Sequence, residues 1–313
     1  MSTRLRSRTT RRGVAVAGVA LAVALAAACV PPTPPGPTTT TAPGAVRTVS
    51  DATFDWTVSP EANNGSFAPG QVNYWSAGRS DSTAGTYVPT NGTVTVLKKS
   101  AAGTYVPIGS SGAVSWTNRN RDGAGNVVTA TNSFFLGQKV RFTNGTGTVN
   151  TSTGVSTIQW TGTFSINFYG QYVPFWIIDP KLTVNAAGKG TITATLGGFA
   201  SDIATPDVRT ALPTTPNVVL AELPNVYASG AIATGFTNAR TAYVGTAVTV
   251  PADGTPQTAR TASNSAYWGG WPQSFVNFQQ ATGLGSYWYS SGGAAEDAQP
   301  PDLLARAPLH VAR

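Results

Sequence analysis

The feature that most constrains the fold of this chain is a series of short segments in which apolar and polar residues alternate. The segments TVTVL (93–97), TFSINF (163–168) and TITATL (191–196) each place every second side chain on one face of an extended strand. A strand with one buried and one solvated face has this pattern. The sequence therefore predicts an all-β fold, an antiparallel sandwich or barrel.

Turn signals lie between such segments. The sequence NAAGKG at 185–190 separates KLTV from TITATL and predicts a hairpin connection. Asn-Gly pairs adopt the positive φ of tight hairpin turns at little cost. These pairs occur at 64–65, 91–92 and 144–145, and each is expected to be a turn.

One segment near the C-terminus has a helical pattern instead. In WPQSFVNFQQATG, Trp271, Phe275 and Phe278 recur at i, i+4 and i+7 and so share one helical face. A proline follows Trp271, where a helix can begin, and Gly283 stands where one can end. We expect one short C-terminal helix, followed by a return to strand in SYWYSSG at 286–292.

Residues 1–28 have the pattern of a secretory signal peptide, with a basic start and the uncharged apolar segment 13–28. The following LAAAC resembles a lipobox, so Cys29, the single cysteine of the chain, is expected to carry acyl chains. The alternative is a cysteine that merely ends the apolar segment. The Arg11-Arg12 pair suggests twin-arginine export, and the choice between export routes stays open.

The rest of the chain divides by composition. Residues 29–45 are rich in Pro and Thr and are expected to form an extended tether after Cys29. Residues 46–293 form one folded domain in this interpretation, and residues 294–313 a mobile tail. The predicted product is exported and lies at the outer face of the cytoplasmic membrane or in the cell envelope, anchored to the membrane by lipid.

The charge distribution argues against nucleic acid as a partner. Five of the 20 basic residues lie before residue 13, which leaves 15 against 13 acidic residues in the remainder. A nucleic-acid-binding protein would keep its positive charge in the folded part.

The residue types also exclude most catalytic chemistry. His310 is the single histidine and lies in the predicted tail, whereas serine triads, cysteine–histidine dyads and zinc centres need imidazole or several thiolates within the fold. A carboxylate pair of the glycosidase type remains compatible with the sequence, but no pair of acidic residues stands out. We expect a protein that is not an enzyme.

The aromatic stretch GTFSINFYGQYVPFWII at 162–178 is the strongest candidate for a ligand site. Tyr169, Tyr172 and Trp176 could form the wall of a site for a flat ligand. They could equally be the ordinary side chains of a buried strand, and both interpretations stay open at this point.

The same stretch and its continuation, WTGTFSINFYGQYVPFWIIDPKLTVNAAGKGTITATLGGF (160–199), resembles the core of the HtaA domain, the haem-transport-associated domain of actinobacterial surface proteins. Three further segments agree with it, at 54–78, 217–226 and 271–293. The resemblance implies an all-β domain that binds haem at the cell surface, with a tyrosine as axial ligand and a histidine in a G-H-x-G turn beside it.

Carried onto this chain, the resemblance implies a histidine-lacking variant. The histidine position falls on Tyr169, and Tyr74 is the candidate axial ligand. Tyr169 or Gln171 could replace the histidine as hydrogen-bond donor, or Tyr169 could itself ligate the iron, with Tyr172 and Trp176 lining the site. Haem and other cell-surface haem carriers are then the expected partners.

A second hypothesis needs no haem. The chain could be a structural or adhesive cell-surface protein that binds glycans or protein partners. Aromatic faces stack on sugar rings, and FVNFQQATGLGSYWYSS at 275–291 offers several such side chains.

Overall fold

The computed structural model describes residues 46–65, 72–109, 112–132, 134–170, 172–202, 205–226, 235–236, 239–291 and 310–312. Strands dominate this part of the chain, almost all of them in one antiparallel sheet, and a single α-helix lies near the C-terminus. The predicted all-β class is confirmed.

The bounds of the elements follow the chain. The strands are β1 Val46–Trp56, β2 Tyr74–Ala77, β3 Thr90–Asn91, β4 Val94–Lys99, β5 Tyr105–Val106, β6 Ile108–Gly109, β7 Gly112–Ala113, β8 Gln138–Asn150, β9 Ser156–Gln159, β10 Thr163–Phe168, β11 Val173–Val184, β12 Gly190–Asp202, β13 Thr205–Leu223, β14 Gly235–Phe236 and β15 His310–Ala312. The helix is α1 Gln273–Thr282, and 3₁₀ turns lie at Glu61–Asn63 and Gly285–Trp288.

The main sheet is nearly closed into a barrel. Its strands follow the order β13-β12-β11-β9-β8-β1-β15-β14, and β10 lies beside the first half of β11 and pairs on its other side with β2. Strand β4 pairs with β3, β5 and β8. A bridge from Ala77 of β2 to Val88, just before β3, joins these two branches. The strands β11, β10, β2, β3, β4, β8 and β9 thus form a ring of neighbours.

Aromatic side chains fill the inside of this ring. Phe164 of β10 contacts the rings of Trp56, Trp75 and Phe142, which come from β1, β2 and β8. All four side chains are buried. Contact between side chains from strands around the ring defines this as the inner face of the sheet.

Helix α1 packs against the same inner face, as its pattern predicts. Phe275 contacts Phe175 of β11, and Trp271 contacts Trp56 of β1. Gly283 ends the helix with φ of 90°, a value that glycine adopts without strain. The predicted strand after the helix is wrong: Gly285–Trp288 is a 3₁₀ turn, which brings the Trp288 ring to 4.7 Å from Phe275.

The turn predictions had mixed outcomes. The pair at 91–92 joins β3 to β4, and Asn185 and Lys189 close the β11–β12 hairpin through a backbone hydrogen bond of 2.9 Å. The prediction at 144–145 is wrong, because both residues lie inside β8. There the β1–β8 register shifts on either side of Ala52. Gly145 is required because a Cβ would overlap the Trp160 indole.

Strand β13 ends the sheet order. It pairs with β12 along most of its 19 residues, and no other described strand pairs with its second edge. Pro213 and Pro216 lie within it.

The predicted leader and tether, with Cys29, lie outside the described residues, as do residues 66–71. Of the Asn-Gly pair at 64–65, Asn64 is extended with φ of −87°, and Gly65 forms a bridge to Val72. Of the predicted tail, His310–Ala312 pairs with β1, and residues 294–309 and 313 are outside the described part. No helix of the described part is both long enough and apolar enough to cross a membrane.

Candidate functional site

Strand alternation places the predicted site residues on two faces of the sheet. In the β2–β10–β11 register, Tyr74 lies opposite Asn167, and Trp176 lies opposite Ser165. These positions alternate with those of the inner face, so Tyr74 and Trp176 belong to the outer face. Tyr169 follows β10 at the turn into β11.

Tyr74 is buried on the outer face, at 1% exposure, in a cluster of rings. Its ring centroid lies 5.9 Å from that of Tyr87 and 5.6 Å from that of Trp116. Burial raises the pKa of Tyr74 to about 12, against opposing effects of the Ser82 hydroxyl and the Arg119 guanidinium. The phenol is therefore neutral at physiological pH.

The Tyr74 hydroxyl is buried and has no hydrogen-bond partner among the described residues. The Ser82 hydroxyl lies close enough to affect its pKa, but donates its own hydrogen to Asn167 Oδ1 at 2.6 Å. The hydroxyl of Tyr87, at 7% exposure, is likewise buried without a partner, and burial raises the pKa of this phenol too.

Tyr169 lies in the turn between β10 and β11 and contacts the 3₁₀ turn that follows helix α1. It has φ of 52°, and its backbone N–H donates to Asn73 Oδ1 at 3.0 Å. Its hydroxyl hydrogen-bonds the Tyr287 hydroxyl, and the two rings meet edge to face with centroids 6.0 Å apart. Both phenols are half-buried.

Trp176 is buried on the outer face beneath Arg79, whose guanidinium carbon lies 4.0 Å from the ring centroid. Its strand neighbour on β12 is Gly197, where a Cβ would overlap the indole nitrogen. The Phe199 ring meets it edge to face at 5.6 Å. Trp176 is therefore the centre of a packed stack on the outer face.

The structure does not bring the predicted residues into one site. Tyr74 and Trp176 lie on the outer face, whereas the Tyr169 phenol meets Tyr287, whose ring also contacts Phe168 of the inner face. Tyr172 is half-buried against the core, and Gln171 lies outside the described residues.

Sequence reasoning missed Tyr287 as a partner of Tyr169. The two residues are 118 positions apart, and only the packing of the 3₁₀ turn on the barrel joins them. It also missed the Tyr87–Trp116–Arg119 group around Tyr74, because alternation marks strand faces and not the loops that cover them.

An exposed apolar pair is connected with Tyr169 through a series of hydrogen bonds. Phe134 and Phe135 are 42% and 43% exposed. The next residue, Leu136, donates from its backbone N–H to the Asn63 carbonyl at 2.8 Å. Asn73, which accepts from Tyr169, donates to the carbonyl of Glu61, so both groups are attached to one segment.

The aromatic side chains expected to stack on sugars are in the core. Among those of residues 275–291, Phe275, Phe278, Trp288 and Tyr289 are all buried, and Tyr287 alone is half-buried. That surface is therefore not available for glycan binding. In the described part, no three His, Cys, Asp or Glu side chains come together in a metal-binding group.

Comparison with known proteins gives little further information. No protein-family model matches the chain, and no curated protein matches it. One solved structure, the C-terminal domain of HtaA from Corynebacterium glutamicum, is similar with a TM-score of 0.40 and 14% identity, over 84% of this chain and 96% of that one. At these values the similarity establishes neither a shared family nor a shared ligand.

Proposed function

We propose that this protein is a non-catalytic binding protein of the cell envelope, exported and anchored through Cys29, that holds haem at Tyr169. The observation that carries the proposal is the half-buried phenol pair of Tyr169 and Tyr287. Tyr74 is the poorer candidate for the axial ligand, because it is buried at 1% exposure and its raised pKa opposes loss of its proton.

The pair fits the chemistry of a tyrosine ligand. A phenol has an ordinary pKa of about 10, and the charge of ferric iron is what displaces its proton. The resulting phenolate needs a hydrogen-bond donor, which a neighbouring histidine supplies in the resembled family. Here the Tyr287 hydroxyl can donate to the Tyr169 oxygen.

The surroundings of the pair suit a flat apolar ligand. The Tyr169 ring contacts the Tyr287 ring, and the Tyr287 ring contacts Phe168 of the inner face. The backbone next to the exposed Phe134-Phe135 pair hydrogen-bonds Asn63, and Tyr169 hydrogen-bonds Asn73, whose side chain donates to Glu61. Exposed apolar groups together with a few polar ones are typical of ligand sites.

A hemin titration of the purified protein tests the proposal. We expect a saturable Soret band that Tyr169→Phe abolishes. Tyr287→Phe should weaken hemin binding about 10-fold or more, because a hydrogen bond to a charged oxygen contributes about 1.5–3 kcal/mol.

Two substitutions serve as controls. Tyr267→Phe changes another half-buried phenol and should leave the titration unchanged. Tyr74→Phe should also leave the hemin titration unchanged. Loss of the Soret band in this variant would indicate that Tyr74, and not Tyr169, ligates the iron. The absence of a saturable band in the parent protein would end the haem proposal.

The exposed Phe134-Phe135 pair favours a second candidate function, the binding of a protein partner at the cell surface. Asn132 holds the backbone on either side of it: its side chain accepts from the backbone N–H groups of Thr129 and Phe134 and donates to the Val127 carbonyl at 2.9 Å.

Replacing both phenylalanines with serine tests the second candidate. We expect the double variant to keep its melting temperature, since both side chains are exposed, and to lose at least tenfold in retention on isolated cell-envelope fractions. Equal retention of the parent and the variant would contradict this function.

A further inference from the structure

The Tyr74 cluster on the outer face has a feature that packing does not account for. Two neutral phenols, Tyr74 and Tyr87, lie side by side with both hydroxyls buried and without hydrogen-bond partners among the described residues. Folded proteins pair nearly all of their buried polar groups. Two adjacent unpaired donors indicate a missing acceptor.

The groups around the phenols favour a negatively charged acceptor. The Arg119 guanidinium lies 5.9 Å from the centroid of the Tyr74 ring, and the Arg209 charge also acts on this phenol. The opposing charge is that of Asp81, whose carboxylate already accepts from the hydroxyls of Thr83 and Thr86. The net charge of Arg119, Arg209 and Asp81 together is therefore positive.

We propose that Tyr74, Tyr87 and Arg119 form a binding site for a small oxyanion, such as a carboxylate or a phosphate group. The two phenol hydroxyls donate to its oxygens, and the guanidinium supplies the opposite charge. Hydrogen bonds to a charged acceptor are about twice as strong as those between neutral groups.

The half-buried Trp116 segment lies between the two phenols and solvent. Trp116 covers the two phenols, with ring centroids at 5.6 Å and 5.9 Å, and is half-buried. Arg119 stacks on the indole at 3.9 Å and donates to the Trp116 carbonyl. Movement of these two side chains, which share one loop, would admit an anion.

This site is separate from the one proposed for haem. It lies on the outer face, and its phenols are neutral donors, whereas a ligand to iron must lose its proton. Failure of either proposal therefore leaves the other standing.

Thermal unfolding of the full-length protein in sodium acetate or sodium phosphate, against sodium chloride at equal ionic strength, tests the proposal. We expect one or both anions to raise the melting temperature of the parent in a saturable way. Tyr74→Phe, Tyr87→Phe and Arg119→Gln should each raise the half-saturating concentration at least tenfold, and Arg119→Lys should restore part of the effect.

The melting temperature without anion gives a second readout. Tyr74→Phe and Tyr87→Phe remove an unpaired hydroxyl, so their melting temperatures should equal or exceed that of the parent. Tyr289→Phe is the matched control and should lower it, because the Tyr289 hydroxyl donates to the Thr255 carbonyl at 2.6 Å.

Three results would overturn the proposal. One is a parent protein that no anion stabilises beyond chloride. Another is an anion effect that survives in the tyrosine variants, which would mark it as a general surface effect. The third is a clear loss of stability in Tyr74→Phe and Tyr87→Phe without anion, since that would mean that their hydroxyls already have partners.

Discussion

Replacing Lys98 with methionine is expected to lower the free energy of unfolding by about 3 kcal/mol, because buried carbonyls lose an ammonium donor. The Lys98 Nζ is buried and donates to the carbonyls of Asn118, Arg119 and Arg121. The Asn118 carbonyl also accepts from the Arg121 N–H and keeps this hydrogen bond in the variant. The carbonyls of Arg119 and Arg121 are therefore the ones most affected by loss of the Lys98 donor. Methionine keeps an apolar stem and removes the amino group that makes these hydrogen bonds.

Chemical denaturation of the two proteins measures this loss, with Lys99→Met as the control. Lys99 is the next residue of β4, and it is exposed, so its substitution should change the free energy of unfolding by less than about 0.5 kcal/mol. Equal stabilities for Lys98→Met and the parent would contradict the structural role of the ammonium group.

The Lys98 effect should also depend on pH. Burial lowers the pKa of Lys98 to about 7, against an opposing effect of Asp122. Between about pH 7 and the unfolded-state pKa of about 10.4, the unfolded chain binds more protons than the folded one, so stability rises with pH. The methionine variant lacks this titration. The difference in the free energy of unfolding between the parent and the variant should therefore increase from pH 7 to pH 9.

Replacing Asp55 with asparagine should lower the free energy of unfolding by about 3 kcal/mol. The Asp55 carboxylate is buried at 2% exposure on β1 and accepts two hydrogen bonds of 2.7 Å from Arg141 and one of 3.2 Å from Lys139. Removing one partner of a buried ion pair costs about 3–5 kcal/mol. We expect a value at the lower end of this range because the Arg141 side chain is 40% exposed, and water can therefore solvate its charge.

Acid unfolding measures the charge contribution of Asp55. Burial alone would raise the pKa of its carboxyl, but the Arg141 hydrogen bonds and the Lys139 charge hold that pKa below its ordinary value. The contribution is present above the unfolded-state pKa of about 4 and is lost as the pH falls through the folded-state pKa. The parent and Asp55→Asn should therefore converge in stability at the acid end.

Asp51→Asn is the matched control for Asp55. Asp51 lies on the same strand, but it is exposed, so its substitution should have little effect at any pH. A loss of stability as large as that of Asp55→Asn would mean that the charge of β1 as a whole matters rather than the ion pair.

The alternation of apolar and polar residues predicted strands well, although β10 is buried on both faces and lacks the solvated face expected for it. The segment TFSINF at 163–168 coincides with β10, because its alternating residues meet inner-face rings on one side and the covered outer face on the other. The i, i+4, i+7 spacing likewise predicted α1, whose apolar face packs on the barrel.

Local turn chemistry was a poorer guide. The Asn-Gly pair at 144–145 has the backbone freedom of a turn, and Asn144 does have φ of 58°. The need for glycine at 145 comes instead from the Trp160 indole, which occupies the space of a Cβ there and donates to the Ala52 carbonyl at 2.8 Å. Such a contact between distant residues leaves no mark in the local pattern.

The candidate site was predictable only in part. Tyr169 could be singled out from the aromatic stretch, but its partner Tyr287 could not, because tertiary packing alone joins them. Tyr74 could also be singled out, but its burial by the loops that carry Tyr87 and Trp116 could not be predicted. Alternation assigns a residue to a face and says nothing about what covers that face.

Two of the three prolines of β13, Pro213 and Pro216, have a consequence for self-association. A long strand with a free edge can recruit a second copy of itself and begin the growth of fibrils. Pro213 and Pro216 lack the amide hydrogen that such recruitment needs, and they interrupt the edge near its middle. Copies of the protein at high concentration would thereby avoid pairing edge to edge with one another.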